Sequence, residues 1–364
     1  MINGQASIEI RDLYKIFGRS PEQHVGRVRS GLSKAELGKV HGHILGLNNI
    51  NISMPAGKIQ VIMGLSGSGK STLIRHINRL IEPTFGSIMI DGRNILEMSE
   101  LELREFRRNK TAMVFQRFAL LPHRTVLDNV IFGLEVRGID KARSRAIGMR
   151  WIERVGLVGF EKRYPEELSG GMQQRVGLAR ALSNDASILL MDEAYSALDP
   201  LIRTDMQTML LELQAELKKT VVFITHDLDE ALRLGDQIVI LRDGSIIQQG
   251  HSQDILLNPA DDYIERFVKD VNRARFLKVD AVMEPIPPSV NRSLPTLMSG
   301  STLETAAVEL TNSPSYEATV VDSAGKPLGA VSLRKITAAM SSAIAKHEAM
   351  KRDVAIDAVD ACDR

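Results

Sequence analysis

The amino-acid sequence predicts an α/β fold with a central sheet, followed by a smaller α+β unit. Two observations predict the larger fold. Short apolar segments alternate with amphipathic helical segments, and a glycine-rich loop stands between an apolar segment and a helix start. A third observation predicts the division, because a proline-rich stretch at 284–288 precedes a short run of mixed helix and strand patterns. With 364 residues, the chain is long enough for two domains.

Three strands are predicted near the start of the larger unit. Alternating apolar and polar residues predict strands over 8–17 and 45–54, and a continuous apolar run predicts a buried strand over 59–63. The link between the first two strands, 18–43, is polar, basic and rich in glycine. It predicts irregular structure with one short helix over 33–40.

Turns and helices complete the predicted α/β unit. Two Asp-Gly pairs, Asp91-Gly92 and Asp243-Gly244, lie between alternating segments and predict hairpin turns. Charged amphipathic patterns predict helices over 97–108 and 141–155, and apolar residues at helical spacing predict another over 200–218. Strands that alternate with helices in this way favour a largely parallel sheet.

The composition excludes several classes of protein. Lysine and arginine total 46 and aspartate and glutamate total 45, so no basic excess indicates a nucleic-acid partner. No run of eighteen apolar residues predicts a membrane-spanning helix, and the first residues lack the basic and apolar segments of a signal peptide. Cys362 is the single cysteine, which excludes an intrachain disulfide and favours a reducing compartment.

The glycine-rich loop fits the phosphate-binding pattern G-x-x-x-x-G-K-[ST] from Gly64 to Ser71. Backbone N–H groups of such a loop, at a helix start, bind phosphates. We expect Lys70 to reach the β- and γ-phosphates of ATP and Ser71 to hold Mg²⁺. Phe17 is the expected ring for stacking on adenine, with Tyr14 as the alternative. The predicted nucleotide ligands of the loop are Gly64, Ser66, Gly67, Ser68, Gly69, Lys70, Ser71 and Thr72.

A second set of motifs lies further along the chain. Its members are LSGGMQQR at 168–175, the apolar strand with two final acids at 187–193, SALD at 196–199, and His226 after another apolar strand. In this order, the motifs resemble the ATP-binding cassette (ABC) family over roughly residues 8–271. The resemblance implies an ABC-type phosphate-loop fold, in which a helical subdomain over about 115–184 carries the LSGGM signature.

The resemblance implies an ATP hydrolase and assigns roles to four residues. Glu193 would orient and polarise the attacking water as general base. Asp192, beside it, would bind Mg²⁺. His226 would contact the γ-phosphate and position Glu193, and Gln116 would contact Mg²⁺ and the water. Adjacent acids at a strand end are otherwise explained by a solvated turn, which the surrounding motifs make the weaker interpretation.

A single chain is not expected to complete the site. In the ABC family, the signature segment binds the γ-phosphate of an ATP molecule held by a second cassette. Here the resemblance assigns that contact to Ser169, Gly170 and Gly171, and it places Asp199 across the same interface. Because the chain carries one cassette, the implied unit is a homodimer with two ATP molecules between its subunits.

The segment 117–137 is similar to the importer cassettes of the ABC family, in which it forms a groove for a permease helix. This implies a peripheral ATPase subunit at the cytoplasmic face of the bacterial inner membrane. The implied partners are integral-membrane permease subunits and, indirectly, a periplasmic or lipid-anchored substrate-binding protein, with no nucleic acid. The alternative of a different class is a soluble ABC ATPase that is not coupled to transport.

Three features together resemble importers of glycine betaine and proline, or of choline. They are the insertion with Gly31-Leu32-Ser33-Lys34, the run from Val61 to Arg75, and the small C-terminal unit. The implied cargo is a quaternary amine osmolyte: glycine betaine, proline betaine, proline or choline. Importers of polar amino acids, phosphate or polyamines are the alternatives. Cargo does not touch an ATPase subunit, so the assignment depends on the resemblance alone.

The predicted domains are an ABC ATP-binding domain over 1–278, a small module over 279–342, and a C-terminal helix and tail over 343–364. The module resembles one CBS module, a β-α-β-β-α unit with a regulatory role. A small packing domain without a ligand is the alternative. The predicted elements of the module are helix 302–310, strand 318–321, strand 328–331 and helix 333–340.

Overall fold

The computed structural model of the chain describes residues 7–116, 118–286, 294–313 and 315–341. The predicted C-terminal tail 343–364, with Cys362, lies outside these ranges. The strands are β1 Ile8–Phe17, β2 Ile44–Met54, β3 Ile59–Met63, β4 Phe85–Ile90, β5 Arg93–Asn94, β6 Thr111–Val114, β7 Ile188–Asp192, β8 Thr220–Thr225, β9 Gln237–Arg242, β10 Ser245–Gly250, β11 Thr296–Met298, β12 Glu317–Val321 and β13 Pro327–Ser332. The helices are α1 Glu22–Arg29, α2 Lys34–His41, α3 Lys70–Ile77, α4 Glu100–Asn109, α5 Val126–Val136, α6 Lys141–Arg154, α7 Gly170–Ser183, α8 Pro200–Leu217, α9 Leu228–Leu234, α10 Ser252–Leu257, α11 Asp262–Val268, α12 Arg273–Phe276, α13 Leu303–Thr311 and α14 Leu333–Ser341.

The part of the chain that the structure describes falls into two compact units, divided between Gln249 and Gly250. The sequence placed its domain boundary later, after residue 278. The second unit begins earlier because the segment before that point packs within it. Leu277 is fully buried, and its carbonyl accepts a hydrogen bond from the Leu303 backbone at 2.9 Å. The proposed domain functions remain predictions.

The central sheet confirms the predicted α/β fold. Among the described residues it has six strands in the order β10-β9-β3-β8-β7-β6, and β3 lies parallel to both β8 and β9. Strands β6, β7 and β8 continue in parallel, and every residue of β3, β7 and β8 is buried. Carboxyl ends of parallel strands share one edge, where α/β folds bind ligands. Here β3, β7 and β8 end immediately before Gly64, Glu193 and His226.

A second, antiparallel sheet covers this core. Its strand order is β2-β1-β4-β5, and its apolar residues join those of the central sheet and of α3 in one buried cluster. Both predicted Asp-Gly hairpins are confirmed. Asp91 and Gly92 have φ of 52° and 78°, and Asp243 and Gly244 have φ of 53° and 83°. Two consecutive left-handed residues match the type I′ turn that suits the twist of a hairpin.

The link between β1 and β2 differs from its prediction, because it contains two helices rather than one. The predicted helix is α2, which begins at a capping box formed by Ser33 and Glu36. The other helix, α1, was missed because its sequence is almost entirely polar and buries only Val25 and Val28. These two side chains form a small core with β1, β2 and α2. The position of α1 therefore depends on tertiary packing, which its own sequence barely indicates.

Three helices, α5, α6 and α7, pack against one another within the predicted helical subdomain 115–184, of which Arg117 lies outside the described residues. The second compact unit contains a sheet of β11, β12 and β13 with α13 and α14. Strand β11 was missed because it is three residues long and has one buried side chain. In the described ranges, none of the helices is both long and apolar enough to span a bilayer.

Candidate active site

The phosphate-binding loop lies between the buried strand β3 and helix α3, as predicted. Gly64 has φ of 149°, and a Cβ atom there would lie 2.2 Å from the Leu241 carbonyl oxygen. Gly69 has φ of 103° and precedes the first residue of α3. A larger residue at Gly64 would be strained and would also collide with neighbouring backbone, so glycine is required there.

Lys70 is almost fully buried beneath this loop. Its ammonium donates hydrogen bonds to the carbonyl oxygens of Gly64 at 2.8 Å and Leu65 at 3.1 Å. The same Nζ atom lies 3.5 Å from Oε1 of Glu193. Burying a cation is costly unless it is paired, and these three oxygens supply the partners. The charge of Lys70 is therefore held beside the loop and beside the predicted catalytic carboxylate.

Ser71 and Asp192, the two predicted metal ligands from the loop and from β7, are in contact. The Ser71 hydroxyl donates to Oδ1 of Asp192 at 2.9 Å, and Nη2 of Arg75 lies 3.8 Å from Oδ2. Burial raises the pKa of the Asp192 carboxyl, and the hydrogen bond from Ser71 opposes that rise. A hydroxyl and a carboxylate side by side make an oxygen-only donor set.

Glu193 stands at the centre of the predicted catalytic residues. Its backbone φ is 47°, an uncommon conformation for a residue with a side chain. Oε2 of Glu193 lies 3.4 Å from Nε2 of Gln116 and 3.6 Å from Nδ1 of His226. Gln116 also donates to the hydroxyl of Ser196 at 3.3 Å. The fold thus brings Gln116, Glu193 and His226 together from the ends of three strands.

A cavity of about 270 Å³ lies over the phosphate loop. Of the two aromatic candidates, Phe17 lines this cavity and is 38% exposed, whereas Tyr14 is 5% exposed and packs edge-on against Phe85. Gly64 and Ser68 belong to the loop without lining the cavity, and among the described residues the buried hydroxyl of Ser68 has no hydrogen-bond partner. The residues that line it are Phe17, Lys34, Ile44, Leu45, Gly46, Ser66, Gly67, Gly69, Lys70, Ser71, Thr72 and Glu193.

The signature residues occupy a different place. Ser169 caps helix α7 by accepting a hydrogen bond from the Met172 N–H at 3.3 Å, and Gly170 and Gly171 form the first turn. Asp199 caps α8 in the same way. Within the described part of the chain, none of these four residues lines the cavity over the phosphate loop. The structure therefore separates the predicted nucleotide ligands of one chain into two groups.

Sequence reasoning missed several residues of the site. Arg203 donates to the Leu198 carbonyl at 3.2 Å and to Oδ2 of Asp227 at 3.1 Å, so it connects the SALD loop with the residue after His226. Lys34, in the link between β1 and β2, and Ile44, the first residue of β2, also line the cavity. In the sequence, the segment that contains Lys34 indicated only a family resemblance, and no phosphate-binding pattern marks either residue as part of the site.

Comparison with known proteins assigns the family. The sequence profile of the ABC transporter family matches residues 47–196. The chain is 54% identical over 277 residues to the glycine betaine transport ATP-binding protein OpuAA of Bacillus subtilis. The alignment covers 76% of this chain and 66% of OpuAA. It is also 46% identical over 336 residues to the glycine betaine/proline betaine transport system ATP-binding protein ProV of Salmonella typhimurium. That alignment covers 92% of this chain and 83% of ProV. The chain belongs to the ABC transporter ATPases.

A solved structure agrees with this assignment. The ABC ATPase fold is shared with the dimeric cassette MJ0796 in a post-hydrolysis state bound to ADP and Pi, at a TM-score of 0.57 and 32% sequence identity. The match covers 67% of this chain and 98% of that one. As an ABC transporter ATPase, this chain is an enzyme whose ATP hydrolysis is coupled to transport. The predicted catalytic residues around Glu193 are the corresponding candidate site.

Proposed function

We propose that this ABC ATPase powers the uptake of a quaternary amine osmolyte, glycine betaine, proline betaine, proline or choline, through a separate permease. The observation that carries the proposal is its similarity to ProV, a glycine betaine/proline betaine transport ATP-binding protein, over 92% of the chain. That alignment extends well beyond residues 47–196, the part of the chain that the family profile matches. Similarity of that extent favours a shared transport system over a shared fold alone.

Hydrolysis is assigned to the cluster around Glu193. Its carboxylate orients the attacking water and accepts its proton, because a general base must lie within reach of that water. Gln116 and His226, which both approach Oε2 of Glu193, orient the carboxylate and the γ-phosphate. Lys70 neutralises charge on the β- and γ-phosphates as they separate. Its present carbonyl partners at Gly64 and Leu65 exchange for phosphate oxygens when ATP binds.

Mg²⁺ fits the oxygen donor pair of Ser71 and Asp192. Gln116, the third predicted ligand, donates to Glu193 and Ser196 in this structure and would have to leave them to reach the metal. The metal prefers hydroxyl, carboxylate, water and phosphate oxygens, and it commonly uses one or two protein ligands with the substrate phosphates. When bound, it supplies positive charge that stabilises the transferring phosphoryl group. Ser71 and Asp192 hold that position, and their mutual hydrogen bond preorganises them for it.

The adenine base is assigned to Phe17. Replacing Phe17 with alanine is expected to raise the Kd for a fluorescent ATP analogue roughly tenfold, because stacking on a base contributes about 1–3 kcal/mol. Phe17→Trp should keep the affinity. Tyr14→Phe is the matched control, because Tyr14 packs in the core and the change leaves its ring in place. Titration of the purified chain measures all three, and an unchanged Kd for Phe17→Ala would remove the ring from the site.

A homodimer completes the site. Ser169, Gly170 and Gly171 stand at the N-terminus of α7, where free N–H groups and the helix dipole favour phosphate. Since they lie outside the cavity of their own chain, they bind the ATP of a second copy. Asp199 crosses the same interface. The dimeric MJ0796 cassette supports this arrangement. ATP that is bound by both chains stabilises the closed dimer, and hydrolysis removes that stabilisation.

A groove of about 670 Å³ is the proposed docking surface for the permease. It is lined by α4, α5, α7 and the segment after β6. Leu80, Phe115 and Val136 expose apolar side chains there, and Arg104 adds a positive charge. Contiguous exposed apolar surface with a polar rim is typical of a protein interface. A permease helix in this groove would place the chain at the cytoplasmic face of the bacterial inner membrane, where a periplasmic or lipid-anchored binding protein delivers cargo from outside.

A CBS-like role for the C-terminal unit is also a proposal. The described elements β11, α13, β12, β13 and α14 follow the β-α-β-β-α order of such a module. Strand β11 pairs parallel with β12, and β12 pairs antiparallel with β13. A packing domain without a ligand remains the alternative, and the predicted boundaries at 279 and 342 are part of the proposal.

Uptake of labelled glycine betaine, proline and choline tests the transport function. Cells that lack this gene should lose uptake, and the wild-type gene should restore it while Glu193→Gln does not. Loss at high osmolarity alone would support an osmotically regulated importer. Unchanged uptake of all three compounds would overturn the cargo assignment. ATP hydrolysis by the purified chain without any effect on uptake would favour the soluble ATPase.

A further inference from the structure

The link between β1 and β2 forms part of the wall of the nucleotide cavity. Lys34, the first residue of α2, and Ile44, the first residue of β2, both line it. Phe17, the last residue of β1, stands beside them in the same cavity. The cationic side chains of the described lining are Lys34 and Lys70. Neither the phosphate-loop motif nor the assigned catalytic roles include Lys34.

The ammonium of Lys34 forms a weak, solvent-exposed ion pair. Its Nζ atom lies 3.1 Å from Oδ1 of Asp243, in the turn between β9 and β10. The two side chains are 38% and 74% exposed. Exposed ion pairs of this kind contribute little to stability, because water screens the charges and two long side chains lose freedom. Lys34 is therefore able to exchange Asp243 for a stronger anion.

Packing, rather than this ion pair, positions α2. Leu37, one turn after Lys34, is fully buried against Tyr14, Ile16 and Leu45. The capping box of Ser33 and Glu36 defines the first turn of the helix. Because the helix is anchored by these contacts, Lys34 would remain at the cavity even if Asp243 lost its charge.

The link is also tied at both ends. In the imidazole of His43, Nε2 lies 2.8 Å from the carbonyl oxygen of Arg19, and Nδ1 lies 2.5 Å from the carbonyl oxygen of His41. Arg19 follows β1 closely, and His41 ends α2. One ring therefore connects the strand that carries Phe17 with the helix that carries Lys34. This fixes the cavity wall before a ligand arrives.

We propose that Lys34 is a nucleotide-binding residue whose ammonium leaves Asp243 and binds an anionic phosphate oxygen of the bound nucleoside triphosphate. The inference rests on the proposed ATP site and adds a ligand from outside the phosphate loop. Lys70 already has three oxygen partners in this structure. A second cation at the cavity reduces the repulsion among the phosphate charges and forms a charge-assisted hydrogen bond.

Binding of a fluorescent, non-hydrolysable ATP analogue to the purified full-length chain tests this proposal without interference from hydrolysis. Lys34→Gln is expected to raise the Kd about fivefold to tenfold, and Lys34→Arg should keep most of the affinity because it retains the charge. The difference between Lys34→Gln and the wild type should shrink at high salt. An unchanged Kd for Lys34→Gln would overturn the proposal.

Asp243→Asn is the matched control for a purely structural role. If Lys34 binds phosphate, this change frees the ammonium, and the Kd should stay the same or fall. If the ion pair only tethers α2 to the turn, Asp243→Asn and Lys34→Gln should weaken binding equally, which would overturn the proposal. A wild-type chain that binds no nucleotide would instead refute the ATP site itself. Binding that survives Lys70→Ala unchanged would refute the phosphate loop.

Discussion

Glu193→Gln is expected to bind ATP normally and to hydrolyse it at least about a hundredfold more slowly than the wild type. General base catalysis commonly contributes between about 10²- and 10⁴-fold, and the amide does not accept a proton at neutral pH. The substitution keeps the size of the side chain and leaves an oxygen for the contact with Gln116, now 3.4 Å away. Steady-state phosphate release measures the loss, and size-exclusion chromatography with ATP should show an accumulated dimer.

The control for this prediction is Glu212→Gln, which makes the same carboxylate-to-amide change at an exposed position on α8. Its turnover should equal that of the wild type. His226→Ala should also reduce turnover, because the imidazole lies 3.6 Å from the same Glu193 oxygen. A Glu193→Gln enzyme with the wild-type rate would refute the assignment of the base.

Two inactive variants are expected to restore activity when they are combined in one dimer. Lys70→Ala should no longer bind ATP at its own phosphate loop. Ser169→Arg should place a large side chain at the proposed contact with the ATP that the other chain binds. A heterodimer of the two single variants retains one intact site, formed by the loop of one chain and the signature of the other. Heterodimers isolated through two affinity tags should therefore hydrolyse ATP.

The matched control carries the same two substitutions in one chain, paired with a wild-type chain. In a shared site, both positions of that heterodimer are defective, so it should be inactive. If each chain instead used its own Lys70 and Ser169, the outcomes would reverse, and the control would be the active species. Ser169 also caps α7, and loss of an N-cap lowers the stability of the folded protein by about 1 kcal/mol. Binding of ADP by Ser169→Arg is therefore measured to show that this variant is folded.

The loop residues and strand ends of the site could be predicted because their chemistry is local. The spaced glycines before Lys70 and Ser71 form a pattern whose backbone N–H groups are expected to bind phosphate, and that pattern is readable from the sequence alone. Buried parallel strands are continuous apolar runs, so β3, β7 and β8 were visible, together with the residues that follow them. That Gln116, Glu193 and His226 meet follows from the shared edge of the sheet.

Other features depend on contacts between distant segments. Helix α1 is polar almost throughout, and it is positioned by the burial of Val25 and Val28 against strands that come before and after it. Strand β11 has three residues, and it is defined by parallel pairing with β12 rather than by its own pattern. The second compact unit begins at Gly250 because α10 packs against α11 and α12, and α12 packs against α13.

By itself, the sequence determined the α/β class, the phosphate loop, the order of the catalytic motifs and the family resemblance, because each depends on residue type and spacing along the chain. Only the tertiary structure decided which aromatic ring lines the cavity. Tyr14 and Phe17 are three residues apart on β1, and their locations differ because Tyr14 packs into the core with Phe85 while Phe17 ends the strand at the cavity. It also decided that Lys34 lines the cavity over the phosphate loop, since α2 packs onto the strands through Leu37.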